Sequence, residues 1–476
     1  MTVDYDGVIV GGTLQGREAA AIAAREGARV ALVEPPEAVD SLIQQELLVE
    51  VLAQAGQQVK EAHWRGMHSI PGESLDWGHL DTQVSRAATL AYPHLTLAGV
   101  AACGVDVVPK PGRFSPQPKL TFITADRPLR ARGFVLCPGT QVTVPGIPGL
   151  ATTPYWTVDS LSKWTAQPKS VVILGRSGKA IALAQSLALL GTRVTLISRG
   201  ERLLPTEDED ISTFVESLLV AAGVELILGQ RLNQVKYDGG FTIDRASGEP
   251  IQAAHLLLAT AQQPALSGLN LEAMGIRPQP HALPVDDRLS TAHPRVFACG
   301  PVLGGYWAEA TDSQDVPIAL RNALYLPWRR LTVLNRVGWL ATVPAFARIG
   351  MTASQARRWY GPDAQVVQLP FSEAIATHLG GDITGFCRWI VHRDGRLLGA
   401  QLCGPQAKEL MTTVALIVQQ NLPIPQIDRL SSLPHANSEL LTGMVAAWQH
   451  QRWQPGTWRR NWAENWFNWR RSRPHY

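Results

Sequence analysis

The sequence predicts an α/β fold in which one strand–turn–helix–strand unit occurs twice, ahead of a separate α+β region. Three observations predict it. The first unit runs from Asp6-Gly-Val-Ile-Val-Gly-Gly12 through an alanine-rich stretch, Arg17 to Glu26, into Arg29-Val-Ala-Leu-Val-Glu34. The second repeats it with Ser170-Val-Val-Ile-Leu-Gly175, Lys179 to Leu190, and Gly191-Thr-Arg-Val-Thr-Leu-Ile-Ser-Arg199. In both, the strands are unbroken apolar runs and do not alternate, as expected for a parallel sheet covered by helices on both faces. The third observation is a change of pattern after Gln365. There Phe386 to His392, a turn at Arg393-Asp-Gly395, and Leu397 to Cys403 read as a β-hairpin, followed by helical patterns at Ala407 to Gln420 and Ser438 to His450.

Bulk composition narrows the function classes. A chain of 476 residues is too long for a single core. With 45% hydrophobic and 17% charged residues it has a globular, not a disordered, composition. A net charge of +3 gives no global pull toward nucleic acid, so no nucleic-acid partner is expected. The first ten residues enter a strand without a secretory pattern. The most apolar long segment, around Leu331 to Ala347, is interrupted by Asn335 and Arg336. The five cysteines are scattered, and none lies in a CxxC or CxxxxC pair. Neither a disulfide framework nor a metal site is expected, and a cytoplasmic location fits.

Each turn has the chemistry of a phosphate cradle, because a helix N-terminus presents unpaired N–H groups. In the first, Gly11 makes the tight turn, Gly12 follows, Thr13 stands at the second fingerprint position and Gly16 packs helix on strand. A side chain at Thr13 either pushes a pyrophosphate away or donates its hydroxyl to it. Glu34 ends the second strand, where a carboxylate accepts hydrogen bonds from a ribose; the alternative is a solvated strand-end acid. In the second turn Gly175, Ser177 and Ala180 hold the three positions. Arg199, with Arg202 nearby, suits the 2′-phosphate of NADP, against a reading of two solvated arginines.

The order of these pieces resembles the pyridine nucleotide-disulfide oxidoreductase family, and most closely its mercuric reductases and dihydrolipoamide dehydrogenases, over roughly residues 4 to 450. Further segments carry the resemblance. Leu136-Cys-Pro-Gly139-Thr and Pro145-Gly-Ile-Pro-Gly149 resemble the exit from the FAD domain. Leu257-Leu-Leu-Ala-Thr260 resembles the strand that closes the nucleotide domain, and Arg295-Val-Phe-Ala-Cys-Gly300 the strand that returns under the flavin. Gly404-Pro405-Gln-Ala-Lys-Glu409 resembles part of the dimerisation domain. The resemblance implies two Rossmann-like dinucleotide-binding domains, for FAD and NAD(P), plus a C-terminal α+β dimerisation domain. The expected boundaries are 1–150 and 276–340 for the FAD domain, 151–275 for the NAD(P) domain, 341–451 for dimerisation and 452–476 for a tail. FAD would lie on Gly11, Gly12, Thr13, Gly16, Glu34, Gly139 and Gly300, and NADP on Gly175, Ser177, Ala180, Arg199 and Arg202. A homodimer is implied as well.

Against that pattern the chain has lost several groups. The family's return strand ends in Gly-Asp, and here it reads Gly300-Pro301, which removes a carboxylate and a backbone donor. The redox-active cysteine pair would fall in about residues 40 to 55, a stretch that contains no cysteine and no lysine. Without a thiolate, dithiol exchange has no nucleophile there. Ala182 replaces a glutamate, and Ala261-Gln262 replaces Gly-Arg. The family's His-Pro-x-x-x-Glu base motif is inverted to Leu433-Pro434-His435-Ala-Asn-Ser-Glu439. His435 then stands four residues before Glu439, a helical spacing that allows a direct pair and a catalytic role; the alternative is a surface histidine at a helix start. Each cysteine reads as a small buried hydrophobe, with Cys299 set apart by preceding Gly300.

The tail places Trp458, Trp462, Trp466 and Trp469 within an arc of ~80° on a helix, with Arg459, Arg460, Arg470 and Arg471 beside and behind it. That face suits an anionic membrane surface, the protein's own body or its dimer partner, or stacking on nucleic acid. Two functions remain open at this level. One is an FAD-dependent NAD(P)H oxidoreductase that passes electrons straight from flavin to a quinone or protein. The other is a degenerate, non-catalytic relative serving as a dimeric, membrane-tethered scaffold or nucleotide sensor.

Overall fold

The computed structural model describes residues 3–34, 40–64, 76–304, 314–332, 334, 336–428, 434–454 and 456–473. These fall into two compact units, one of residues 1–333 with 340–343 and one of 334–339 with 344–476.

The first unit contains two five-stranded sheets, parallel throughout. In one, strands run in the order Val296–Ala298, Ala131–Leu136, Tyr5–Val10, Val30–Val33, Asp106–Val108. In the other the order is Trp156–Thr157, His255–Leu258, Ser170–Leu174, Arg193–Ile197, Glu225–Ile227. The two orders correspond strand for strand. They differ only in where the outer strand comes from: in the first sheet it returns late, after the second sheet is complete. The chain leaves by Thr140–Val142 and returns by Gln262–Pro264, and these two segments pair antiparallel.

The central strands are apolar along their whole length because both faces are covered. Val8, Ile9, Leu32, Ile173 and Leu196 are all at or below 1% exposure. Helix Leu14–Arg25 packs on the first sheet through Ala19, Ala20 and Ala23. Helix Gly178–Leu189 occupies the same place on the second. The long helix Asp40–Trp64 covers the stretch where a redox cysteine pair was sought. It packs on the helix Gly178–Leu189, and Gly56 faces Leu189 closely enough that an added Cβ would lie 3.3 Å from it.

The second unit is built on a sheet in the order Val337–Leu340, Phe346–Gly350, Leu397–Cys403, Phe386–His392, Ala364–Pro370, the last four antiparallel to their neighbours. One face packs on helices Ala407–Gln419 and Glu439–Arg452, with Trp389, Met411, Met444 and Trp448 in the interior. The hairpin strands have the bounds expected from sequence. The tail forms the helix Trp458–Arg471, none of whose residues is buried.

Candidate nucleotide-binding sites

Both glycine turns lie at the carboxyl ends of parallel strands, where such sheets bind ligands. In the first, Gly11 has φ +112°, and a Cβ there would sit 2.1 Å from the Cys137 carbonyl oxygen. A Cβ at Gly16 would sit 2.1 Å from the Gly11 carbonyl oxygen. Close backbone approach, more than turn propensity, therefore fixes both glycines. Gly139 and Gly300 also adopt positive φ beside the turn.

Thr13 is the N-cap of helix Leu14–Arg25. Its Oγ1 accepts a hydrogen bond from the Gly16 N–H at 3.2 Å and donates to the Cys137 carbonyl at 3.2 Å. The hydroxyl is thus committed within the protein, and is not the free phosphate donor that was one of the two expectations. With φ −59° at Thr13, a side chain there costs the backbone nothing.

Glu34 is 1% exposed, so the solvated-acid alternative is corrected. Its carboxylate pairs with Arg17, Nη2 to Oε1 at 2.7 Å and Nε to Oε2 at 3.2 Å, while Arg17 Nη1 donates to the Leu95 carbonyl at 2.8 Å. The carboxyl group lies directly on Gly12, where an added Cβ would fall 1.9 Å from Glu34 Cδ. On the far side, the Gln15 side chain packs against Gly300, and the Gly300 N–H donates to Asp315 Oδ2 at 2.7 Å. A carboxylate from helix Asp315–Leu324 therefore reaches the return strand although Pro301 has removed the expected one.

The backbone of this turn fits a dinucleotide pyrophosphate: the positions that must lack a side chain do, and a helix N-terminus faces the turn. The side chains fit less completely. A ribose would compete with the Arg17 guanidinium for Glu34, and a phosphate would compete with the Thr13 hydroxyl for the Gly16 N–H.

The second cradle is built the same way. Gly175 has φ +136°, and a Cβ there would lie 2.1 Å from the Ala259 carbonyl oxygen. Ser177 is the N-cap, accepting from the Ala180 N–H at 3.1 Å. Arg199 and Arg202 are exposed beyond the strand Arg193–Ile197. Arg176, which sequence reasoning passed over, joins them. Its guanidinium lies over Gly200 and donates to the Arg202 carbonyl at 3.2 Å. The available signal was an arginine straight after the first fingerprint glycine, where the turn crosses the end of the neighbouring strand. The three arginines give this end of the sheet a cationic surface.

Of the two readings of His435, the structure has the surface histidine ahead of the helix, without a side-chain pair to Glu439. The helix starts at Glu439, and His435 precedes it with φ +60°. Glu439 Oε1 accepts instead from the His435 backbone N–H at 3.0 Å, leaving the imidazole on the exposed surface. Leu433 of that motif lies outside the described residues. Among the described residues no cluster of three or more His, Cys, Asp or Glu could hold a metal ion. Nor is any helix long and apolar enough to cross a membrane.

The cysteines bring one surprise. Cys137 and Cys299 end neighbouring strands, are both fully buried, and hold their sulfurs 3.1 Å apart. Cys387 and Cys403 are buried in the second unit, as expected of small hydrophobes.

Comparison with known proteins gives a consistent picture. The pyridine nucleotide-disulphide oxidoreductase family matches residues 5–323, and the dimerisation domain of that family matches 339–439. A mercuric reductase of Staphylococcus aureus is 28% identical over 305 residues, covering 63% of this chain and 56% of that protein. A probable pyridine nucleotide-disulfide oxidoreductase of Escherichia coli, RclA, is 29% identical over 289 residues, covering 60% of this chain and 65% of that protein. The chain thus spans less than two thirds of these relatives' length. In structure, the Cu(II) complex of the HOCl-induced flavoprotein disulfide reductase RclA from Escherichia coli superimposes with a TM-score of 0.79 at 24% identity, covering 94% of this chain and 99% of that one. LpdA from Mycobacterium tuberculosis does so with a TM-score of 0.80 at 20% identity, covering 92% and 99%. By the match over residues 5–323, this chain belongs to the pyridine nucleotide-disulphide oxidoreductases, a family that binds FAD and works with NAD(P)H.

Proposed function

We propose that the chain is an FAD-dependent NADPH oxidoreductase that delivers electrons to its acceptor without the family's helix-borne cysteine pair. The observation that carries this reading is the pair of equivalent cradles. Each has a positive-φ glycine pressed against a strand carbonyl and a capped helix behind it. Gly11, Gly12, Gly16, Gly139 and Gly300 would hold FAD. Gly175, Ser177 and Ala180 would hold the nucleotide diphosphate, with Arg199, Arg202 and Arg176 on the 2′-phosphate. Bound FAD supplies two-electron acceptance from NADPH and onward transfer to an acceptor such as a quinone or another protein. The chain's own part is to hold both nucleotides at the strand ends and to favour the phosphorylated one by charge. Helix Asp40–Trp64 has no cysteine, so a thiolate relay at that place has no residue to run through.

One observation favours the non-catalytic alternative, a scaffold or nucleotide sensor: the Arg17–Glu34 pair already satisfies the carboxylate a ribose would use. The deciding experiment is reconstitution. Purified protein incubated with FAD should take up a yellow flavin band and oxidise NADPH with a quinone or dye acceptor. Protein that stays colourless with excess FAD overturns the oxidoreductase reading. Replacing Arg199 by Glu should raise KM for NADPH by about tenfold, the loss of roughly one charge-assisted contact, with little change for NADH. Equal effects on both would remove the NADP assignment.

The dimerisation domain supports a homodimer. For the tail, we infer a peripheral contact with anionic lipid on the cytoplasmic face of a membrane. Trp458, Trp462, Trp466 and Trp469 are 44–73% exposed, and Arg473 lies over the Trp469 ring at 3.9 Å. Such a face buries indole at the headgroup boundary while arginine meets phosphate.

A further inference from the structure

The sulfur pair beneath the first cradle belongs to neither the cradle's hydrogen bonds nor the proposed electron path. Strands Ala131–Leu136 and Val296–Ala298 are parallel neighbours in the register Phe134↔Val296, Val135↔Phe297, Leu136↔Ala298. Continuing that register sets Cys137 opposite Cys299, one strand spacing apart, within the Cα separation that a disulfide spans. Their sulfurs are 3.1 Å apart, inside van der Waals contact. Both side chains face the apolar layer formed by Ile9, Ala19, Ala20, Val316 and Ala319.

We propose that Cys137 and Cys299 form a reversible dithiol–disulfide couple, oxidised by small hydroperoxides, that cross-links the two strands leading into the flavin cradle. In the first step one thiol's sulfur attacks a peroxide oxygen. The O–O bond breaks, water leaves, and the sulfur becomes a sulfenic acid. In the second step the neighbouring sulfur attacks the sulfenic sulfur, the S–S bond forms, and the S–OH oxygen leaves as a second water with that thiol's proton. Two thiols and one hydrogen peroxide give one disulfide and two waters. A general dithiol reductant reverses the change.

Burial sets the rate and proximity sets the outcome. A hydrogen bond in which the Cys299 thiol donates to Cys137, together with burial and the negative charge of Cys137, Asp315 and Glu18, pushes that thiol well above its ordinary value. At Cys299 thiolate is therefore scarce, and because both sulfurs are buried the first oxidation waits on local opening of the layer. Once a sulfenic acid forms, its resolving partner is already in contact, so closure outruns further oxidation. The finished bond is shielded from bulky thiols for the same reason. This couple is distinct from the family's helix-borne pair and does not depend on the oxidoreductase reading. Its partners also touch the cradle directly: the Cys137 carbonyl accepts from Thr13, and Cys299 leads into Gly300.

The test uses the full chain, reduced, freed of reductant, and treated with hydrogen peroxide under native conditions. Remaining thiols are then blocked with N-ethylmaleimide in denaturant and the digest is mapped by mass spectrometry. The free-thiol count should fall from five per chain to three. One cross-linked peptide pair should join Cys137 to Cys299 and disappear after dithiothreitol. In C137A and C299A no such peptide should form, and the surviving partner should be trapped by dimedone as a sulfenic acid. Recovery of both residues as maleimide adducts from peroxide-treated wild type, with circular dichroism showing native protein, overturns the proposal. So does bridging of either one to Cys103, Cys387 or Cys403. The wild-type arm decides even if the variants fold poorly.

Discussion

The buried pair of Arg17 and Glu34 makes a sharp prediction about stability. Both side chains are 1% exposed, and the guanidinium donates to both Glu34 carboxylate oxygens and to the Leu95 carbonyl. Replacing Arg17 by Met keeps most of the volume and takes the guanidinium away from a carboxyl group buried in the interior. Removing one member of a buried pair costs about 3–5 kcal/mol, because the surviving charge keeps its desolvation penalty. At about 2 °C per kcal/mol for a unit of this size, thermal unfolding should shift down by roughly 6–10 °C.

The companion variant separates this effect from simple packing loss. Arg17→Met combined with Glu34→Leu removes both charges, and replacement of a whole buried pair is commonly near neutral. The Leu95 carbonyl still loses one donor, worth about 1–3 kcal/mol. The double variant should therefore recover part of the lost melting temperature. Scans of the full chain by calorimetry in low and high salt provide the assay, and the single-variant shift should persist in salt because a buried pair is poorly screened. The reasoning fails if Arg17→Met melts with wild type, or if the double variant is less stable than the single one.

Three other outcomes follow from the geometry. Thr13→Gly keeps an acceptable N-cap, so stability should change by only a few tenths of a kcal/mol; it also releases the Gly16 N–H, and flavin-fluorescence titration should show FAD binding tightened by about tenfold. At Asp394, burial pushes the carboxyl up, but hydrogen bonds from the Arg396 amide, His392 and the Arg396 side chain outweigh it and hold the value at about 2. Its contribution is therefore present above the ordinary carboxylate value of about 3.9 and is lost as pH falls through about 2. Asp394→Asn should loosen the hairpin turn at neutral pH, read by amide exchange at Arg393–Gly395, and should match wild type at the acid end. Deleting residues 452–476 should abolish flotation with vesicles containing phosphatidylserine; unchanged flotation would end the membrane reading.

The parts of this fold that were legible are those that backbone geometry enforces. Continuous apolar runs marked both parallel sheets, and Gly11 and Gly175 marked both turns because a Cβ at either would strike a strand carbonyl. The hairpin Phe386–His392 with Leu397–Cys403 was readable to the residue, since its turn requires Gly395 at φ +97°. What stayed hidden were side-chain contacts between strands distant in sequence. Cys137 and Cys299 are 162 residues apart, and only the register of an outer strand that returns late brings them together. Arg17 stood in plain view on an alanine-rich helix, but its meaning required knowing that this helix face meets the end of the strand carrying Glu34. Placing Thr13 and Ser177 only as the second positions of a glycine fingerprint applied one rule where two compete. Both residues have negative φ, so glycine's freedom is not needed there, and both are hydroxyl N-caps that bind the N–H three residues on. The preference for Ser or Thr ahead of a helix explains the two positions together. Their shared consequence is that each helix N-terminus begins with one donor already satisfied, so a phosphate placed at either turn would have to displace a hydroxyl to gain that contact.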